Sequence, residues 1–253
     1  MKKILLLICL SFLLIECNST DDVEVEKISV SLQFEHFWLA SPLTASDLDT
    51  FKFETKNGDF LKIERLRYLL SNIYLINDNE TFTFSDYTLI DLEKDDNFTL
   101  QLSEKIVPGS YQLKFRFGFK DDDNIDGAYQ DLNTVNFNVP SMLGGGYHYM
   151  QFDGKYKDNN NQDANFNYHA IRAVDRSDPN NLVYEDTSFE VDLGTLSFIS
   201  NSEITVKVNI AEWFRNPHTW DLNQLNTVLM PNFEAQKLMS ANGKTVFSLG
   251  DIN

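Results

Sequence analysis

"VPGSYQLKFRFGF", Val107 to Phe119, opens on a Pro-Gly pair and then alternates. Tyr111, Leu113, Phe115, Phe117 and Phe119 fall at every second position, with Gln112, Lys114 and Arg116 between them. A period of two places the large apolar side chains on one face of a strand and the polar ones on the other, whereas a helix would scatter both sets around its axis. The Pro-Gly pair supplies the turn that starts the strand. A strand with one apolar face needs partners and a second layer to cover it.

The flanking sequence offers both. "KISVSLQFEHF" (Lys27–Phe37), "TFTFSDYTLID" (Thr81–Asp91), "NFTLQL" (Asn97–Leu102), "ANFNYHAIRAV" (Ala164–Val174), "TSFEVDLGTLSFIS" (Thr187–Ser200), "EITVKVNI" (Glu203–Ile210) and "KTVFSLG" (Lys244–Gly250) all read as strands rich in aromatic and β-branched residues. "FLKIERLRYLLSNIYLIND" (Phe60–Asp78) is mixed: Leu61, Ile63, Leu66, Leu69 and Leu70 suit a helix, so a short helical or irregular turn is expected to feed a strand at Leu70–Ile76. "AEWF", "DLNQLN" and "NFEAQKLMSA" read as short helical pieces near the end. About ten short strands with regular turn signals predict an all-β fold, an antiparallel β-sandwich of Ig-like or cupredoxin-like kind with short C-terminal helices. No composition shift divides residues 27–253, which are expected to form a single domain.

The first residues read differently. Lys2 and Lys3 precede the apolar run Ile4–Ile15, too short to span a bilayer and suited to a secretory leader over residues 1–16. Cys17 follows directly, and then the polar stretch "NSTDDVEVE" serves as a tether through residue 26. This resembles a bacterial lipoprotein signal, in which the exposed cysteine is acylated, and the acidic stretch resembles the export signal of Bacteroidetes surface lipoproteins. The expectation is a protein exported and anchored by lipid on Cys17 to the outer membrane, facing the periplasm or the cell surface. The other cysteine, Cys9, lies inside the apolar run, so the mature chain has no disulfide to form. The formal net charge of −17 repels phosphate backbones and argues against nucleic acid as a partner.

Candidate ligands are few. Of the four histidines, His36, His148 and His169 each sit beside aromatics in an apparent strand, as "FEHFW", "GYHYM" and "NYHAI". Imidazoles on separate strands of a sandwich can meet at one copper or zinc ion. "DDNIDG" (Asp122–Gly127) matches the first half of a calcium loop, with Asp122, Asn124 and Asp126 at alternate positions and Gly127 at the turn. Counting from Asp122, the twelfth position is Asn133, which cannot supply a bidentate carboxylate. The chain has no G-x-S-x-G, H-E-x-x-H or phosphate-cradling glycine loop, so a binding protein is expected and not an enzyme.

Five stretches in succession, "SLQFEHFWLASPL", "LRYLLSNIYLI", "PGSYQLKFRFGFKDDDNIDG", "GGYHYMQFDG" and "FNYHAI", make the chain resemble the copper-binding MbnP-like family. The resemblance implies a β-sandwich that holds copper with histidines, assisted in some members by an oxidised tryptophan. His36 and His169 match positions that are often histidine there, and His148 lies within a matching strand. It also implies an envelope partner in redox chemistry or metal handling. Many members carry tryptophans just before the "GY" strand; here Met142 is followed by "LGGG". The alternatives are a metal-free adhesion or ligand-binding lipoprotein on the same scaffold, and a calcium-stabilised binding module.

Overall fold

The computed structural model describes residues 25–94, 98–178 and 180–253. The expected leader, Cys17 and most of the tether lie outside them. Among the described residues the strands are β1 (Val30–Trp38), β2 (Ser41–Pro42), β3 (Phe53–Glu54), β4 (Phe60–Ile76), β5 (Thr81–Asp91), β6 (Thr99–Gln101) and β7 (Gly109–Phe117). Then come α1 (Gln130–Thr134), β8 (Met150–Lys157), β9 (Asp163–Ala170), β10 (Ala173–Asp175), β11 (Val183–Glu185), β12 (Phe189–Phe198), β13 (Ser202–Asn209), α2 (Phe233–Gly243) and β14 (Phe247–Ile252).

Two sheets face each other. The smaller runs β14-β13-β1-β2, with β6 also on β1; the larger runs β12-β7-β4-β8-β9, with β3 and β5 also on β4. The alternation in β7 does what its sequence implies: Tyr111, Leu113, Phe115 and Phe117 are buried. Phe115 meets Phe34 of β1 and Phe247 of β14 edge-on, at 5.9 and 5.3 Å between ring centres, which joins the two layers. Phe117 stacks on Phe189 at 5.0 Å and lies 5.1 Å from Trp213, closing one end of the core. The all-β sandwich expected from the sequence is the fold the chain adopts. Pairing is antiparallel except between β1 and β13, which run parallel from Val30↔Ser202 to Phe37↔Asn209.

Two local expectations are corrected. Phe60–Ile76 is one continuous strand with no helical turn before it. The cause is a pair of bulges. Register on β8 slips between Ile63 and Arg65, and register on β7 slips between Ser71 and Tyr74, where Asn72 has φ +51°. Each bulge adds a residue, so the inward set reads Leu61, Ile63, then Leu66, Tyr68, Leu70, then Ile73, Leu75. That broken alternation imitates helical spacing. "DLNQLN" forms turns rather than a helix, while Phe233–Gly243 is helical and capped by the Asn232 side chain accepting from Ala235 N–H.

Candidate metal centre

β4 also organises the outer face of the larger sheet. β8 and β7 share one edge of β4 and part at Leu69, whose N–H donates to Tyr149 C=O and whose C=O accepts from Gly118 N–H, both at 2.9 Å. Gly118 has φ +78°, and a Cβ there would stand 2.5 Å from the Tyr149 ring, so only glycine lets the chain leave β7 beneath that ring. The segment between β7 and β8 then folds back over the outer face. Phe119, Leu132, Phe137 and Tyr147 form a small second core on Leu69.

The "LGGG" stretch fits this cap against its surroundings. Gly146 has φ +77°, and a Cβ there would lie 2.5 Å from Asn124 Oδ1. That oxygen is already taken: it accepts from Tyr147 N–H at 2.8 Å. Asn124 is buried and acts as a tie between the acidic loop and the approach to β8. Asp122 pairs with Lys120 at 3.1 Å and is exposed, as is Asp126. Of the three residues read as the start of a calcium loop, Asn124 ties to Tyr147, Asp122 pairs with Lys120, and Asp126 is exposed.

The histidines divide into one and two. His36 points into the sandwich, with Nε2 2.9 Å from Tyr68 OH. Neighbouring residues of a strand face opposite ways, and Arg67, beside Tyr68, reaches Gln151 on the outer face at 2.7 Å. His148 and His169 lie on that outer side, so β4 separates them from His36. Trp38, on the same face of β1 as His36, is a core residue against Phe53. His218 is exposed.

His148 and His169 face each other at 5.2 Å between ring centres, with planes at 84°. His148 Nδ1 lies 3.0 Å from Phe137 C=O. A carbonyl only accepts, so Nδ1 carries the proton and Nε2 keeps a bare lone pair. The 3.2 Å approach of Gln151 Nε2 to the same Nδ1 brings two donors together, and the Gln151 amide is served instead by Asn136 C=O at 3.2 Å. His169 Nε2 donates to Asp153 Oδ1 at 2.7 Å, which leaves its lone pair on Nδ1. His148 Nε2 and His169 Nδ1 are both buried and without a hydrogen-bond partner. Each such acceptor costs about 1–3 kcal/mol while unmet. Burial first, and then the neighbouring His169, lower the His148 pKa to about 3, so it is neutral at any physiological pH.

Asp153 anchors the pair from behind. It also accepts from Asn167 Nδ2 at 2.6 Å and from Arg65 through Nε and Nη2. Burial works against its charge, but His169, Asn167 and Arg65 together hold its carboxyl well below the usual range. A histidine bound through one nitrogen to a carboxylate or carbonyl, with the other left bare, has the arrangement that metal-ligating imidazoles take in proteins. Among the described residues no group of three or more His, Cys, Asp or Glu is placed to hold a metal ion; the bare donors that face each other are the two imidazoles. Asp153, Gln151 and Phe137 are partners that reading single motifs missed. Asp153 and Gln151 were findable: counting outward from the hairpin turn at Asp158–Gln162 sets Gln151 opposite His169 and Asp153 opposite Asn167.

No curated protein matches the sequence. The solved structure of MbnP from Methylosinus trichosporium shares the fold, with a TM-score of 0.50, 79% of this chain and 80% of that one covered, and 11% identity. The family model described as MbnP matches residues 27–231, most of the chain, and the chain belongs to the MbnP family.

Proposed function

We infer that this protein is a copper-binding lipoprotein of the bacterial cell envelope, with His148 and His169 holding the metal. The observation that carries this is the pair of bare, buried, mutually facing lone pairs, each on a ring whose other nitrogen is anchored. Two imidazoles fall short of the tetrahedral set that zinc takes and the many oxygens that calcium takes. Copper(I) accepts so low a coordination number, and imidazole is among its usual ligands. Family membership, and a sequence in which residues 1–16 read as a leader directly before Cys17, support the same conclusion. Binding without catalysis, and exchange with an envelope redox or metal-handling partner, belong to this reading, in which the metal takes up both lone pairs.

Titration of the mature chain with copper(I) against a competing chelator tests this. One equivalent is expected to bind, and His148→Ala and His169→Ala are each expected to weaken it by on the order of 100-fold or more, beyond the effect usual for an outer-shell partner. Undiminished binding in both variants would mean that the bare lone pairs are met by water instead.

A further inference from the structure

His36 has a setting of its own. One edge of β1 is covered by two short strands that do not meet: β6 pairs with Ser31–Gln33 and β2 with Phe37–Trp38. Across the interval Phe34 N–H donates to Phe98 C=O and Leu43 N–H to His36 C=O, each at 2.8 Å. The gap opens into a cavity of about 490 Å³, within the range of small-molecule sites. Phe34, Phe37, Leu43 and Phe98 line it, with His36 buried within and Glu35 exposed at the rim. The Phe98 ring lies 4.8 Å from the imidazole.

The proton on His36 can be placed. Burial raises the Tyr68 phenol well above its ordinary pKa, so it keeps its hydrogen. Among the described residues its one partner is His36 Nε2, so the hydroxyl donates there. Burial lowers the His36 pKa to about 4, leaving a neutral ring whose single proton sits on Nδ1. No described residue accepts from that N–H. The cavity therefore presents one buried donor, an aromatic wall and a carboxylate at its mouth, on a protein of net charge −17 that attracts cations.

We propose that this cavity is a second binding site, separate from the histidine pair, for a small aromatic amine that carries a hydroxyl or similar acceptor. The aromatic ring lies against Phe98 and Leu43, the acceptor takes the His36 Nδ1 proton, and the ammonium is held by Glu35 and the Phe37 ring face.

Calorimetric titration of the mature chain with tyramine, phenethylamine and 4-hydroxyphenylacetate tests it. Tyramine is expected to bind saturably. Phenethylamine, which lacks the hydroxyl, is expected to bind about fivefold more weakly, and 4-hydroxyphenylacetate, with the opposite charge, not measurably. His36→Phe should abolish the preference for tyramine over phenethylamine. Glu35→Gln, at an exposed position that leaves the fold intact, should erase the preference for amine over acid. Copper binding should be unchanged in the Glu35→Gln variant. Equal binding of tyramine and 4-hydroxyphenylacetate, affinities unaltered in Glu35→Gln, or no saturable binding of any of the three would overturn the proposal.

Discussion

His36, His148 and His169 are alike in the sequence, each flanked by aromatics, yet each has its proton fixed by a different neighbour: a phenol, a backbone carbonyl and a carboxylate. Those neighbours come from other strands, which is why no local spacing announced them. Two consequences follow at this scale. His36 is neutral when folded, with a pKa of about 4, and near 6.5 when unfolded. Its contribution is fully present above pH 6.5 and is lost as pH falls toward 4, because the unfolded chain takes up the proton first; the loss is at most about 3 kcal/mol. Denaturation curves of wild type and His36→Gln at pH 7.5 and 4.5 should show a smaller stability gap at the lower pH; a constant gap would mean the ring is not buried neutral. Asp153→Asn removes the carboxylate charge behind His169 and opposite Arg65. Copper affinity is expected to drop by about 10- to 100-fold with the two ligands still in place, and an unchanged affinity would detach Asp153 from the site.

Among the elements, β4 decides most. Its two bulges keep the apolar side chains turned inward across seventeen residues, at the cost of a sequence that reads as partly helical. Nothing in Phe60–Ile76 alone marks an added residue as a bulge rather than a helical step, since only the neighbouring strands reveal the slip in register. β7, free of bulges over Tyr111–Phe117, was legible at once. The fork at Leu69 carries the next consequence. Gly118→Ala forces a methyl into the Tyr149 ring at a positive φ, and should destabilise the fold by about 2–4 kcal/mol. Because Tyr149 adjoins His148, the same variant should also weaken copper binding. Thermal unfolding together with the copper titration checks both, and a variant of normal stability would contradict the close approach of Gly118 to that ring.

At the level of the whole molecule, period-two patterning and turn residues sufficed for an all-β sandwich, because a strand's face is written in its own sequence. Direction is not: the parallel pairing of β1 with β13 joins segments more than 160 residues apart, and alternation reads the same either way. The division of the histidines, His36 on β1 inside the sandwich and His148 and His169 on the outer side of the larger sheet, was hidden for the same reason. The outcome is a scaffold with two separate polar features, one on each side of β4. A metal that binds the folded chain alone raises its melting temperature, so copper(I) should stabilise the wild type but leave His148→Ala/His169→Ala unmoved in a thermal scan. The most direct test of the histidine pair is a long-range proton–nitrogen correlation spectrum of the ring nitrogens, recorded before and after one equivalent of copper(I). Unprotonated Nε2 of His148 and Nδ1 of His169 should both shift on addition, while the rings of His36 and His218 stay where they were. A response from His36, or from neither member of the pair, would contradict the site described here.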